Sequence, residues 1–254
     1  MPVRFYNFDY SYLRNGKPVF VPSARGRETG YDIKDRVEAA FEFDPFVHHL
    51  LPGGHVAALH EHRNRTVFAR VDIETFFYGI GRNRVIRALR GIGIERENHY
   101  ARWSTVKNPY GAPNYALPYG FVQSPILASL VLMTSPVGDY LRGLPNDITK
   151  SVYMDDVALS GDDLGGLTIA FDGLLAVLAQ SEFKNNAAKT RQPAPAMDIF
   201  NCDLSLGEAV VREDRKAEFY EVARSAASSS AFDRYCATVE QGNDPKGEQV
   251  EKAD

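Results

Sequence analysis

The chain has 254 residues, 44% of them hydrophobic, and a formal net charge of −4, which suits one large globular domain with a smaller appendage. It contains no apolar run of the roughly 20 residues that a membrane helix needs, and its aromatic, polar N-terminus is unlike a secretory signal. The two cysteines lack metal-ligand spacing, so we expect a cytoplasmic protein with reduced thiols. The acidic balance weighs mildly against a dedicated nucleic-acid binder, although an enzyme needs positive charge only where it holds nucleic acid.

The N-terminal part is expected to mix strands, loops and one helix. Residues 3–27 are strand-like and loop-like and end in a basic turn, and a helix is expected over 33–41. The His-Glu-His segment at 60–62 is interpreted as a solvated loop, because a metal site would need a third ligand nearby. An apolar strand follows at 67–73.

The middle of the chain is more regular. A short basic amphipathic helix begins near Arg82, and its arginines either touch a nucleic-acid backbone or form a solvated face. Ser124 and Pro125 are strong helix-start signals, and one helix is expected from there to residue 141. Its first turns are apolar almost all round, so the helix is expected to be buried. Residues 151–161 predict two short strands around a tight turn.

The C-terminal part continues the alternation of helices and strands. A helix is expected over 162–182, where capping and the helix dipole explain the acidic pair that begins it. Residues 183–190 predict a strand or turn, 197–211 a hairpin, and 214–240 one or two helices. The polar segment 241–254 is predicted to be a disordered tail. The fold class is therefore α+β, with helices on one face of an antiparallel sheet.

Three carboxylates carry the functional argument. Asp72 closes the apolar strand, and Asp155 and Asp156 occupy the turn of the apolar hairpin. An isolated Asp-Asp turn is usually solvated, but buried neighbouring carboxylates repel each other unless a cation compensates. Magnesium prefers such oxygen ligands, and two ions roughly 3.5–4 Å apart can stabilise an in-line phosphoryl transfer. The pattern predicts a site for two Mg²⁺ ions, which Mn²⁺ can replace.

The same residues resemble the palm of a reverse transcriptase, in family order over 63–211. "VDIETFF" is similar to motif A, "LPYGFVQSPILASL" to motif B, "YMDD" to motif C, "EFKNNAAKT" to motif D and "IFNCDLSLGEAV" to the primer-grip hairpin. The resemblance implies a right-hand polymerase of fingers, an antiparallel palm sheet and a short helical thumb. Its expected boundaries are 1–66 for the fingers-like region, 67–211 for the palm, 212–240 for the thumb-like segment and 241–254 for the tail.

The resemblance also implies roles for single residues. The metal ligands would be Asp72, Ile73, Asp155 and Asp156, with Asp156 held more loosely. Lys189 would neutralise or protonate the leaving pyrophosphate. The nucleotide and template pocket would be lined by Ile73, Phe77, Tyr119, Gly120, Gln123 and Ser124, with Lys17, Arg25 and Arg27 reaching the triphosphate from the fingers. Phe77, five residues after Asp72, falls at the steric-gate position that excludes a ribose 2′-hydroxyl.

Two departures from the family pattern bear on function. Tyr119 stands where motif B usually has Gln, so the positioning of the template base is expected to differ. The thumb-like segment is short, which puts processivity in doubt. The resemblance is to small bacterial enzymes, either defence-associated and abortive-infection groups or retrons.

The implied function is RNA-directed DNA synthesis from dNTPs in anti-phage defence. The expected partners are an RNA template, such as a structured noncoding RNA, a DNA product, an effector protein and further copies or RNA in an assembly, with no membrane. A retron enzyme, an RNA-dependent RNA polymerase and a catalytically weak palm that serves as a scaffold are the alternatives. Templated synthesis, untemplated synthesis and the primer stay open.

Overall fold

The structure, a computed structural model, describes residues 6–243 as a mixed α/β chain whose strands pair antiparallel in small sheets. The strands are β1 (Phe8–Arg14), β2 (Lys17–Pro22), β3 (Val67–Asp72), β4 (Val106–Lys107), β5 (Tyr115–Ala116), β6 (Thr149–Tyr153), β7 (Asp156–Gly161), β8 (Arg191–Ala194), β9 (Ala196–Ile199), β10 (Cys202–Ser205) and β11 (Glu208–Val211). The helices are α1 (Ala24–Ala40), α2 (Gly54–His62), α3 (Phe76–Gly79), α4 (Arg82–Gly91), α5 (Glu97–Ser104), α6 (Ser124–Met133), α7 (Pro136–Gly143), α8 (Leu164–Gln180), α9 (Glu213–Tyr220) and α10 (Ala226–Glu240).

A four-stranded antiparallel sheet in the order β6-β7-β3-β8 forms the centre of the molecule. The apolar side chains of β3 and β7 face each other in register, with Val71 opposite Val157. Helix α8 packs on β3, β7 and β8. The hairpin predicted at 151–161, the strand at 67–73 and the helix at 162–182 are confirmed, each within a few residues.

The N-terminal region differs from the expectation in its first helix. Helix α1 begins at Ala24, nine residues before the expected start, so the basic segment is helical and not a turn. Ser23 caps it by accepting the Gly26 amide at 3.0 Å. The start of this helix was not predicted because Gly26 and Gly30 are poor helix formers. The glycines allow close packing, since a Cβ on Gly30 would overlap the side chain of Gln123.

The segment with His60 to His62 is also helical, and the prediction of a solvated loop was wrong. Helix α2 follows Gly53, whose φ of +83° suits glycine. His62 is 1% exposed and its ring bridges two hydroxyls, with Nδ1 2.7 Å from Ser160 Oγ and Nε2 2.8 Å from Ser151 Oγ. A buried polar group keeps its place when it is hydrogen-bonded, which the sequence spacing did not reveal.

The helix predicted from Ser124 onward is confirmed at its start but divides in two. Helix α6 ends at Met133, and α7 begins at Pro136 after a two-residue break. Pro136 has no amide hydrogen to continue the ladder, and Ser135 Oγ instead accepts the Val137 amide at 3.3 Å. Helix α6 is buried almost all round, as expected.

The C-terminal part adds a second sheet in the order β11-β10-β9, where a single hairpin was predicted. Helices α9 and α10 follow, and α10 packs on β11 and α2. The predicted tail is ordered at its start, because Asn243 bonds the backbone of Ala209 and Arg63 donates to the Gln241 carbonyl. The rest of the tail lies outside the described residues, as do positions 1–5.

These elements confirm the expected fold class. The described residues form a mixed α and β structure with antiparallel sheets and a fingers–palm arrangement. None of the helices between residues 6 and 243 is both long enough and apolar enough to cross a bilayer.

Candidate active site

The antiparallel register brings the three predicted aspartates to one end of the palm sheet. Asp72, the last residue of β3, pairs directly with Asp156, the first residue of β7. Asp155 precedes it in the hairpin turn, and its carbonyl accepts the Ile73 amide at 2.7 Å. Met154, in the same turn, has a φ of +56°, which is unusual for a residue other than glycine and tightens the reversal.

The turn after α8 borders the same strand end. Asn186 donates its amide to the Asp72 carbonyl at 2.8 Å, and the Glu74 amide donates to the Lys184 carbonyl at 2.7 Å. This ladder uses the carbonyl of Asp72 and the amide of Glu74, so the Ile73 carbonyl is not part of it. Ile73 itself is 1% exposed.

Burial makes the carboxylates of the turn difficult to ionise. Burial, together with the neighbouring charges of Asp155 and Asp72, raises the pKa of Asp156 to about 6, although Arg70 opposes the shift. Burial likewise raises the pKa of Asp155, with Asp72 adding to the effect and Lys189 and Lys17 opposing it. The site is therefore short of positive charge for three carboxylates, which a divalent cation would supply.

Arg70 is the residue at the site that sequence reasoning missed. It precedes Asp72 by two positions and points to the same side of the strand. Its Nε lies 2.8 Å and its Nη2 2.7 Å from Asp156 Oδ1, and Nη2 is 3.8 Å from Asp72 Oδ2. Its Nη1 donates to the carbonyl of Asp198 on β9 at 3.0 Å. The alternation of side chains along β3 is the sequence signal that could have placed Arg70 beside Asp72.

Two lysines reach the cluster from different elements. Lys189 Nζ lies 3.2 Å from Asp72 Oδ2, and its role with the leaving pyrophosphate stays a prediction. Lys17 begins β2, and its Nζ lies 5.4 Å from the centre of the Tyr119 ring. The structure thus brings one of the three candidate fingers cations close to the palm.

The predicted steric-gate residue forms an aromatic pair with the departure from motif B. Phe77 and Tyr119 meet edge to face with ring centres 4.9 Å apart, and Phe77 is 7% exposed. Burial raises the pKa of Tyr119 to about 12, and the charges of Asp155 and Asp72 contribute to the shift. Tyr119 is therefore a neutral phenol near the aspartates at physiological pH.

Of the remaining motif-B residues, Gly120 is exposed, whereas Gln123 and Ser124 are buried. Gly120 has a φ of +100°, and a Cβ there would overlap the carbonyl oxygen of Phe20 on β2. Gln123 and Ser124 are each 1% exposed, and Gln123 Nε2 is directed at the Trp103 carbonyl, 3.5 Å away. Within the described chain, Gln123 Oε1 and Ser124 Oγ are buried without a hydrogen-bond partner.

The two candidate arginines of the fingers are not part of the cluster. Arg25 and Arg27 are exposed in the first turn of α1. The guanidinium of Arg25 stacks 5.5 Å from the centre of the Trp103 ring on α5. A role for either arginine with a triphosphate stays a prediction.

A match to a protein family identifies the family that carries this site. Residues 14–206 match the model of the family described as reverse transcriptase (RNA-dependent DNA polymerase). The chain belongs to the reverse transcriptase family. No curated protein matches its sequence.

Solved reverse transcriptases share its fold at low sequence identity. A foamy viral protease–reverse transcriptase in complex with double-stranded DNA is 14% identical, with a TM-score of 0.50 over 85% of this chain and 32% of that chain. A second complex of the foamy viral enzyme with double-stranded DNA is 15% identical, with a TM-score of 0.50, 85% coverage of this chain and 38% of that one. A telomerase from Candida albicans with a fragment of telomeric RNA is 12% identical, with a TM-score of 0.47, covering 72% and 36%. The chain thus spans about a third of the length of these proteins.

The donor set of this reverse transcriptase palm fits a divalent cation, although two carboxylates face cationic side chains. Between residues 6 and 243 no three carboxylate, imidazole or thiol groups are already arranged to hold one metal ion. Asp156 is turned to Arg70, and Asp72 to Lys189. Hard oxygen ligands on two paired strands and a third carboxylate in the turn are what magnesium takes, and release of Lys189 would expose Asp72 to it.

Proposed function

We propose that the protein is an RNA-directed DNA polymerase that adds dNTPs to a primer at this site. The single observation that carries the proposal is the register that sets Asp72 against Asp156, with Asp155 in the turn beside them. Family membership and the shared fold support it. Asp72, Asp155, Asp156 and the Ile73 carbonyl would hold two Mg²⁺ ions, or Mn²⁺ in their place.

The bound metal would polarise the α-phosphate and stabilise the attacking and leaving oxygens. The primer 3′-hydroxyl would lose its proton to solvent water and its oxygen would form a bond to the α-phosphorus, while the bond from that phosphorus to the pyrophosphate oxygen would break. Lys189 would move from Asp72 to the leaving pyrophosphate, whose charge it neutralises or protonates. Phe77 would press against C2′ of the sugar and so select deoxynucleotides, and Tyr119 would support that ring from behind.

The test is nucleotide incorporation by the purified full chain. Each dNTP and NTP is supplied with Mg²⁺ or Mn²⁺, with and without co-purifying RNA, and Asp155→Asn serves as the control. We expect DNA product that is absent from the control. Nuclease and protease digestion of the product identifies template and primer. RNA product from NTPs would instead support an RNA polymerase, and no product from a folded protein with its RNA would favour a binding scaffold.

We further propose that the enzyme works in the cytoplasm within a ribonucleoprotein in anti-phage defence. The thumb-like helices support a partner, because α9 has no buried residue and α10 buries only Val239 in the described chain. A structured noncoding RNA or an effector protein would cover them, and a retron is the alternative setting. Phage plating with the parent and with Asp155→Asn tests the defence role. The mass of the purified particle tests the assembly, and a monomer without nucleic acid would contradict it.

A further inference from the structure

A second cleft, whose lining begins at Glu74 beyond the end of β3, lies along the basic helix α4. Its volume is about 760 Å³, within the range of about 300–1,000 Å³ of ligand sites. We call it the α4 cleft and define it by Arg82, Arg84, Arg87, Tyr110, Tyr115 and Lys184, which line it together with the turn after α3 and the turn after α8. None of the three catalytic aspartates lines this cleft.

The α4 cleft carries an excess of positive charge. Four cationic side chains line it, against the two carboxylates of Glu74 and Glu182. In the part of the chain that the structure describes, the Nη1 atom of Arg84 is buried without a hydrogen-bond partner. A buried guanidinium donor without an acceptor is costly, and an anionic oxygen would satisfy it.

Aromatic rings stand beside these cations. Tyr110 is 53% and Tyr115 45% exposed, although both line the cleft. The Arg82 guanidinium lies 3.9 Å from the centre of the Tyr115 ring, and Tyr78 supports Tyr110 edge to face at 5.2 Å. Exposed rings among arginines are the arrangement on which unpaired bases stack while their phosphates are neutralised. A free phosphate would contact the arginines but would not stack on the rings.

The ligand that fits is elongated. A neighbouring cleft of about 530 Å³ shares Arg84, Arg87 and Glu182 with the α4 cleft and continues toward the break between α6 and α7. Arg84 and Arg87 therefore stand on a ridge between two open spaces, and a strand crossing this ridge would place consecutive phosphates on them.

We propose that the α4 cleft binds single-stranded RNA, with phosphates on Arg84 and Arg87 and bases stacked on Tyr110 and Tyr115. The site adjoins the end of β3 through Glu74 and Lys184, but its lining includes none of the three aspartates, so RNA held there would not occupy the aspartate cluster itself. It would keep a template or an RNA partner attached to a chain whose thumb-like helices are small. Binding there does not depend on incorporation, and Asp155→Asn is expected to retain it.

The test is the binding of a fluorescent, mixed-sequence 12-nucleotide RNA to the full chain, followed by anisotropy across a salt series. Arg87→Gln should weaken binding at low salt about 5- to 10-fold and reduce the salt slope by about 0.7. Tyr110→Ala should weaken it at least about 5-fold with an unchanged slope. The matched control is Arg90→Gln, with the same charge change on the same helix, since Arg90 pairs with Glu97 and does not line the cleft. It should stay within about twofold.

Photo-crosslinking locates the bound strand independently. RNA containing 4-thiouridine should crosslink to the peptides with Tyr110 and Tyr115, in the parent and in Asp155→Asn alike. Equal weakening by Arg90→Gln and Arg87→Gln, unchanged affinity in Tyr110→Ala, equal affinity for a 12-base-pair RNA duplex, or crosslinks only at the palm hairpin would each overturn the proposal. Loss of incorporation with this pattern intact would refute the polymerase proposal alone.

Discussion

Arg70 connects the hairpin that carries Asp155 and Asp156 to the sheet that follows it. Both of its bonds to Asp156 end on Oδ1, and its Nη1 donates to the backbone carbonyl of Asp198. The side-chain Oδ1 of Asp198 accepts from Arg191 Nε at 2.7 Å. A guanidinium presents donors in a rigid fork, so it orients the carboxylate as well as neutralising it. We infer that Arg70 positions Asp156 for the metal.

Replacing Arg70 by Gln should therefore lower kcat by about 100-fold, the scale of a small misplacement at a reacting centre. The Mg²⁺ concentration for half-maximal activity should rise as well. Arg70→Lys should recover part of kcat, because it restores the charge but not the fork. Circular dichroism checks folding, and an unchanged Mg²⁺ dependence in Arg70→Gln would argue against the positioning role.

Phe77 is the residue at which sugar selection is expected. Phe77→Ala removes the ring that would meet a 2′-hydroxyl, so the ratio of ribonucleotide to deoxynucleotide incorporation should rise roughly 10- to 100-fold. Phe77→Tyr keeps the bulk and should leave the ratio near that of the parent. Single-nucleotide kcat/KM values for matched dNTP and NTP pairs give the ratio. An unchanged ratio in Phe77→Ala would move the gate to another residue.

At the scale of elements, α2 and the β6–β7 hairpin are joined by one imidazole. His62 lies between Ser151 on β6 and Ser160 on β7, four to five residues from the catalytic turn. Burial lowers the pKa of His62 to about 3, so the ring is neutral in the folded protein. The neutral ring donates one hydrogen bond and accepts another, and these two bonds hold β6 and β7 against α2.

The folded pKa of His62 lies below its ordinary value of about 6.5, so its contribution to stability is complete above pH 6.5. It declines as the pH falls toward 3, by about 1.4 kcal/mol per pH unit, because only the unfolded chain takes up the proton. In denaturant unfolding, the free energy of unfolding of the parent should fall by about 2 kcal/mol more than that of His62→Gln between pH 7 and 5, because the full slope is reached only below about pH 6. The comparison cancels the other groups, and parallel curves would contradict the assignment.

At the scale of the whole molecule, the raised pKa values of Asp155 and Asp156 predict that the aspartate cluster lowers the stability of the metal-free fold at neutral pH. The folded pKa values of Asp155 and Asp156 lie above their ordinary values, so their stabilising contribution is present at low pH and lost as the pH rises through them. Three carboxylates are thus kept together against their repulsion by the sheet register. Carboxylates with such raised pKa values are typical of functional sites that bind a ligand.

Asp155→Asn should consequently raise the unfolding temperature of the metal-free protein at pH 8 by about 2–4 °C for each 1 kcal/mol recovered. Mg²⁺ should raise the unfolding temperature of the parent and have little effect on the variant, since a ligand stabilises only the state that binds it. Differential scanning fluorimetry with and without EDTA measures both. A variant less stable than the parent without metal would disprove the electrostatic account.

What sequence determined by itself is local. Strand periodicity, the turn at Asp155 and the Ser-Pro start of α6 depend on residues close together in the chain, and these placed the palm elements and the motif aspartates. Glycine-rich α1 and the split of α6 from α7 were misjudged because capping and close packing outweighed propensity there.

Tertiary structure alone decided the partners of the buried charges. Arg70 meets Asp156 across 86 positions of sequence, and His62 meets Ser160 across 98. The buried Nη1 of Arg84 likewise has no hydrogen-bond partner among the described residues because the turn after α8 brings the ring of Phe183 against its guanidinium. Because burial removes water from these polar groups, their free energy depends on the hydrogen-bond partners that tertiary packing places beside them. Those partners are far away in the sequence, so residue spacing does not predict them.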